Sequence, residues 1–248
     1  MNPMSRDQVL PTAAFAPTCS TAECQECEAR PHSVCAGVPE HGIRELEANV
    51  THVTTPARGS ILMEGDAAQH MFNVTSGTVR VYKLLPDGRR QVIGFLMTGD
   101  FLGFAVRDVY AYSAEAVTEV SLCRFSRPRM ETLLQQFPGM EKRLLGMAAN
   151  ELAIAQDLML LLGRKTARER LASFLLMLAE RLTRLGRPAN PLPLPMSRSD
   201  IADYLGLTTE TVSRAFTQFK NDGLITLEGA DTVRLTDLDG MQDIADGN

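Results

Sequence analysis

MSRSDIADYLGLTTETVSRAFTQFKNDGL, Met196 to Leu224, decides the fold of this chain because both ends of two short helices can be read in it. Ser197 followed three residues later by Asp200 is a capping box in which Asp replaces the usual Glu. Ile201, Ala202 and Leu205 form a short apolar face, and Gly206 breaks it. Thr208 or Thr209 caps the next helix, which runs to Gly223 as its left-handed stop. Two short helices around a three- to four-residue turn containing glycine predict a helix-turn-helix. LITLEG (224–229) and TVRLTD (232–237) behind it read as a small β-wing.

Glu210, Ser213 and Arg214 fall at i, i+3 and i+4, so they leave the first turns of the second helix on one face. Val212, Ala215, Phe216 and Phe219 take the opposite face. Arg can fork onto O6 and N7 of guanine, Glu can accept from the cytosine amine, and Ser can serve either role. Thr208, Thr209 and the backbone N–H groups at the helix start suit phosphates. A Glu–Arg i,i+4 pair alone is a common surface feature. Capped within a helix-turn-helix and backed by a wing, it predicts binding to double-stranded DNA.

Upstream of this unit lie a Pro-rich connector, Gly186–Pro195, and a helix over 166–185. Residues 163–187 carry seven Lys or Arg against two Glu, a basic stretch in a chain of net charge −5. A longer helix is expected over about 138–162, closed by Gly163. Leu145, Ala148, Leu152, Ala155, Met159 and Leu162 alternate three and four apart along it, an apolar seam for a parallel two-stranded contact. Glu141, Lys142, Arg143, Asn150, Glu151, Gln156 and Asp157 occupy much of the remaining surface.

From 44 to 126 the pattern changes to short β-segments. Gly65, Gly77, Gly88 and Gly99 recur at intervals of 12, 11 and 11 residues, and Asp87-Gly88 is a hairpin turn. A small jelly roll follows from that spacing. The expected class is therefore α+β, with a cysteine-rich arm (1–40), a β-roll sensor domain (41–137), a dimerisation helix (138–163) and a winged helix-turn-helix (164–248). The last twelve residues, with four Asp, read as a solvated tail.

Hydrophobic residues make up 44% of the 248, and no stretch reads as a membrane span or a secretory leader, so a cytoplasmic location is expected. In that compartment clustered thiols bind metal or sense redox state more often than they form structural disulfides. Cys24, Cys27 and Cys35 sit within twelve residues, Cys19 lies just upstream and Cys123 stands far along the chain. The spacing fits a zinc site of four Cys, or three with His32, as well as redox thiols or an iron–sulfur centre. No G-x-S-x-G, P-loop or H-E-x-x-H motif is present, and the four His show no triad spacing, so an enzyme is not expected.

Over residues 44–240 the chain resembles the CRP/FNR superfamily of bacterial transcription regulators, and most closely its fumarate–nitrate reduction regulator branch of α-proteobacterial type. TETVSRAFTQF (209–219) resembles that branch's recognition helix. LLPDGRRQVIGFLMTGDFLGF (84–104) and RKTARERLASFLLML (164–178) match its β-roll and the helix after the dimer helix. The resemblance implies a homodimeric activator that reads a palindrome of TTGAT half-sites. It also implies a [4Fe–4S] cluster held by Cys24, Cys27, Cys35 and Cys123, with Cys19 as a spare, sensing oxygen for anaerobic or microaerobic genes. A β-roll hairpin, here Leu85–Arg90, would touch RNA polymerase. Cyclic-nucleotide receptors of this fold place a Glu and an Arg where this chain has Phe104 and Tyr112, so no cyclic nucleotide is expected. Members that become monomers without the cluster hold an acidic residue in the seam; Ala155 stands there instead, which implies a cluster-free protein that stays dimeric.

Overall fold

The computed structural model describes residues 24–105, 108–229 and 231–247. Cys19 and the rest of 1–23 lie outside them. The first described segment is the end of the cysteine-rich arm, and from Cys24 on it is ordered. It folds into three 3-10 turns, Arg30–His32, Val34–Gly37 and Glu40–Gly42, leading into a short helix α1 (Ile43–Ala48). Val34, Val38, Ile43 and Leu46 are buried, so four apolar side chains tie it down; they are too widely spaced in sequence to show periodicity.

Eight strands build the roll: β1 (Thr51–Thr55), β2 (Ser60–Leu62), β3 (His70–Ser76), β4 (Val79–Leu84), β5 (Arg90–Leu96), β6 (Phe101–Leu102), β7 (Ser113–Ala116) and β8 (Val120–Ser126). They form two antiparallel four-stranded sheets, in the orders β1-β8-β3-β6 and β2-β7-β4-β5. Both faces of β8 are covered: Val120 and Leu122 enter the core of the roll, and Cys123 and Phe125 on the opposite face pack with Val34, Met130 and Leu133. Gly77 shows why a turn glycine is needed: its φ is +84°, and an added Cβ would lie 2.2 Å from the Glu119 carbonyl oxygen.

A helix absent from the sequence reading follows: α2 (Arg127–Gln136), ended by Phe137, which precedes Pro138 and leaves the helical region at φ −122°, ψ 84°. Pro138 then opens α3 (Pro138–Arg164), which runs one residue past Gly163. Leu145, Leu152 and Met159 on α3 are 71%, 60% and 68% exposed, and Ala148 and Ala155 are exposed beside them. Leu162 departs from the expected seam. It is half-buried against its own protomer, and its Cδ2 would lie 3.2 Å from a Cβ on Gly206. By length and mean hydropathy (1.3), α3 is also apolar enough to cross a membrane, which the sequence reading did not expect. Its apolar residues divide between the exposed seam and a face turned to its own protomer, where Leu161 is buried, and Glu151 and Asp157 interrupt the stretch.

After a two-residue hinge come α4 (Ala167–Arg184), capped by a Thr166–Glu169 capping box, and strand β9 (Leu192–Pro193). Helix α5 (Arg198–Leu205) opens with the Ser197–Asp200 capping box and closes on Gly206 at φ +62°. Helix α6 (Thr209–Asn221) is capped by Thr208. Strands β10 (Ile225–Leu227) and β11 (Thr232–Leu235) pair antiparallel as the wing, and β9 joins their sheet. The supposed acidic tail is instead an amphipathic helix, α7 (Leu238–Asp246), with Met241 and Ala245 buried. Asp237 caps it through the Gly240 N–H at 2.9 Å; its four Asp mark the cap and the solvent face of a helix.

Candidate nucleic-acid interface and thiol pocket

Helix α6 sends two faces in opposite directions. Val212, Ala215, Phe216 and Phe219 are buried against α4 and α5, while Thr208, Thr209, Glu210, Ser213 and Arg214 are exposed together at the amino-terminal end. The Thr208 hydroxyl accepts from the Thr211 N–H at 3.2 Å. Ser213 donates back to the Thr209 carbonyl at 2.9 Å, so its outward capacity is that of an acceptor. Arg214 Nη2 lies 3.4 Å from Thr211 Oγ1, which leaves the rest of its fork to solvent. Glu210's own backbone N–H and the Thr208 hydroxyl hold its carboxyl below the ordinary pKa, so it is an anion at neutral pH. An anionic acceptor and a cationic fork one turn apart suit base edges, and the exposed Thr208 and Thr209 at the same end suit phosphates.

The hinge beneath this head is braced by one guanidinium. Arg170 donates to the carbonyls of Leu162 (2.9 Å), Lys165 (2.8 Å) and Leu205 (2.8 Å), satisfying helix-end acceptors of both α3 and α5.

In the sensor domain, Cys24, Cys35 and Cys123 are buried in one apolar cluster with Val34, Phe101, Phe125, Met130 and Met140. Cys27 is half-buried. Cys123 lies on β8 opposite His52 of β1 and Asn73 of β3, its Sγ 3.7 Å from His52 Nδ1. Burial pushes the Cys35 thiol up to about 11, against the pull of a hydrogen bond from Ser33, and a negative charge on nearby Cys27 would raise it further. Binding any cation here must therefore displace a proton from Cys35. Among the described residues no three His, Cys, Asp or Glu converge closely enough to share one metal ion. The donor chemistry, thiols gathered in an apolar and water-poor setting, fits an iron–sulfur cluster, which spreads its ligands over several iron atoms.

The thiol segment is locked to the start of α3. Gly37 and Gly139 meet backbone to backbone: a Cβ on Gly37 would lie 2.3 Å from the Gly139 carbonyl carbon, and one on Gly139 2.5 Å from the Gly37 oxygen. Arg143, one turn on, donates to the carbonyls of His32 (3.1 Å) and Ser33 (3.3 Å). Sequence reasoning named the thiols but missed this joint, because nothing local marks a glycine as a contact point.

A β-roll, a long helix with an exposed apolar stripe and a winged helix-turn-helix define a dimeric DNA-binding regulator. Residues 53–137 match the cyclic nucleotide-binding domain, and residues 169–244 the Crp-like helix-turn-helix domain. The chain is 41% identical over 204 residues to the nitrogen fixation regulation protein FixK of Bradyrhizobium diazoefficiens, covering 82% of this chain and 86% of that one. It is 40% identical to the transcriptional activatory protein AadR of Rhodopseudomonas palustris (89% and 92% covered). With the transcriptional activator protein FnrL of Cereibacter sphaeroides the identity is 38% (86% and 88%). The solved structure of FixK2 from Bradyrhizobium japonicum superposes with a TM-score of 0.73 at 39% identity, covering 79% of this chain and 96% of that one. The chain belongs to the CRP/FNR family of transcription regulators.

Proposed function

We propose that this regulator senses oxygen through a [4Fe–4S] cluster and, as a homodimer, binds TTGAT-type palindromes to control anaerobic or microaerobic genes. The observation that carries the reading is the placing of Cys24, Cys35 and Cys123 in one buried cluster, beside a segment locked to the first turn of α3. Cys24, Cys27, Cys35 and Cys123 would hold the cluster, which supplies an oxygen-labile link between the N-terminal turns and β8. The chain's own residues do the rest. Gly37 and Arg143 hold the start of α3 at Gly139 and at the amino-terminal turns, so a loosened segment frees the helix that joins two subunits. With Ala155 in the seam, no like charges oppose a cluster-free dimer, and oxygen acts on the orientation of α3 rather than on assembly.

Phe104 packs edge-on against Phe101, and the Tyr112 hydroxyl accepts from the Gly103 N–H at 3.0 Å. Neither side chain can replace the Glu and Arg of a cyclic-nucleotide receptor, so that ligand is not part of the reading. The exposed Leu85–Arg90 hairpin is the surface offered to RNA polymerase. A second reading, a regulator of the same fold without a cluster, is favoured by one observation: Cys123 already has the His52 ring beside it. Iron and sulfide analysis of anaerobically purified protein decides. About four of each per subunit, with a visible absorbance that bleaches in air, supports the cluster; colourless, iron-free protein from cells grown without air rejects it.

A further inference from the structure

Only Lys165 and Thr166 separate α3 from α4, so two hinge residues alone would leave the DNA-binding head free to swivel. Ties to the β-roll prevent this. Asp200 of α5 is buried and receives Arg80 of β4 at 2.6 Å and Arg90 of β5 at 2.8 Å. Arg90 also reaches Asp203 at 2.7 Å, and Arg80 reaches Glu115 of β7 at 2.5 Å. Gln91 donates to the Tyr204 carbonyl at 3.3 Å. Arg181 of α4 donates to the Phe95 carbonyl at 2.8 Å and pairs with Asp100. Phe95 packs tilted against Phe174 and Tyr204 in a core shared by the two domains.

Asp200, Asp203 and Tyr204 all lie on α5, which shares its core with α6, so whatever orients α5 also orients the recognition helix. Apolar contact can slide; paired guanidinium–carboxylate contacts at fixed distances cannot without breaking. We propose that Arg80 and Arg90, in the sensor domain and on strands away from the recognition surface, are specificity-determining residues that set the half-site spacing. They fix the angle of each head against its β-roll, and hence the separation of two recognition helices in a dimer. The inference rests on α6 reading DNA, not on the cluster.

The test begins by selecting the best duplex for the wild-type protein from a randomised pool. Anisotropy titrations then use that duplex, versions with half-sites one or two base pairs closer or farther, and a single half-site. Wild type is expected to lose about 30-fold or more for one base pair of altered spacing. Arg80→Met/Arg90→Met should bind all spacings within about three-fold of one another while holding its half-site affinity within about two-fold. Asp203→Asn, at the partly exposed end of the network, should flatten the profile partially even if the double variant does not fold, and Arg90→Lys should restore part of it. A flat wild-type profile, or unchanged discrimination in folded Arg80→Met/Arg90→Met or in Asp203→Asn, overturns the proposal. Failure to select any duplex refutes the DNA reading itself, and the spacing proposal with it.

Discussion

Gly139→Ala and Gly146→Ala are the same chemical change on the same helix, seven residues apart, and they should have opposite effects. In an exposed helix interior, Ala is favoured over Gly by about 0.8–1 kcal/mol. A Cβ at position 146 meets nothing within 4 Å, so Gly146→Ala should realise most of that gain. At position 139 the Cβ would lie 2.5 Å from the Gly37 carbonyl oxygen, about 0.9 Å inside ordinary contact. That neighbour is backbone and cannot rotate away, so α3 or the 3-10 turn at Val34–Gly37 must retreat. Overpacking of this kind costs about 1–3 kcal/mol. Position 139 lies in the first turn, where the propensity gain is smaller. The net result should be destabilisation of roughly 1–2 kcal/mol, with the thiol segment lifted off α3. Urea denaturation gives the free energies, and tryptic cleavage at Arg44, an exposed site in α1 flanked by buried Ile43 and Leu46, reports the segment. Equal stabilisation by both substitutions, with no faster cleavage in Gly139→Ala, would refute the joint.

Three further outcomes are expected. Leu152→Asp removes one exposed seam leucine per subunit and places two carboxylates face to face. The lost burial of about 4 kcal/mol per dimer should raise the dimer dissociation constant roughly a thousand-fold, read by sedimentation equilibrium. Arg214→Met should weaken palindrome binding by about 1–3 kcal/mol and relax the choice of base at one position per half-site. Burial raises the pKa of Asp200, but the Ser197 hydrogen bond and the Arg80 and Arg90 charges outweigh it and hold it below the ordinary 3.8. Its contribution is therefore present above pH 3.8 and lost as pH falls through the lowered value, so the stability gap between wild type and Asp200→Asn should narrow in that acid range and stay constant above it.

What could be read from the sequence was what local chemistry writes into it. The Ser197–Asp200 box, Thr208, Gly206 and Gly223 each act on residues three or four positions away, so α5 and α6 were legible nearly to the residue. The turn glycines marked the β-roll for the same reason. The Val34 turn and α7 were not legible, because each is held by apolar side chains that find partners only in the folded chain. Leu162 shows the limit of periodicity: it keeps the seam's spacing, but at the end of α3 the DNA-binding head covers it first. The ion pairs of Asp200 join positions 110 and 120 residues apart, and no pattern within the sequence announces them.

The central claim, that the thiol pocket governs how two heads meet DNA, is tested most directly by palindrome affinity measured without air and again after brief exposure to oxygen. The account predicts a fall of about ten-fold or more in wild type, a shift of about 1.4 kcal/mol, and uniformly weak, oxygen-insensitive binding in Cys35→Ser and Cys123→Ser. Equal affinities before and after oxygen, or cysteine variants that bind as tightly as anaerobic wild type, would contradict it.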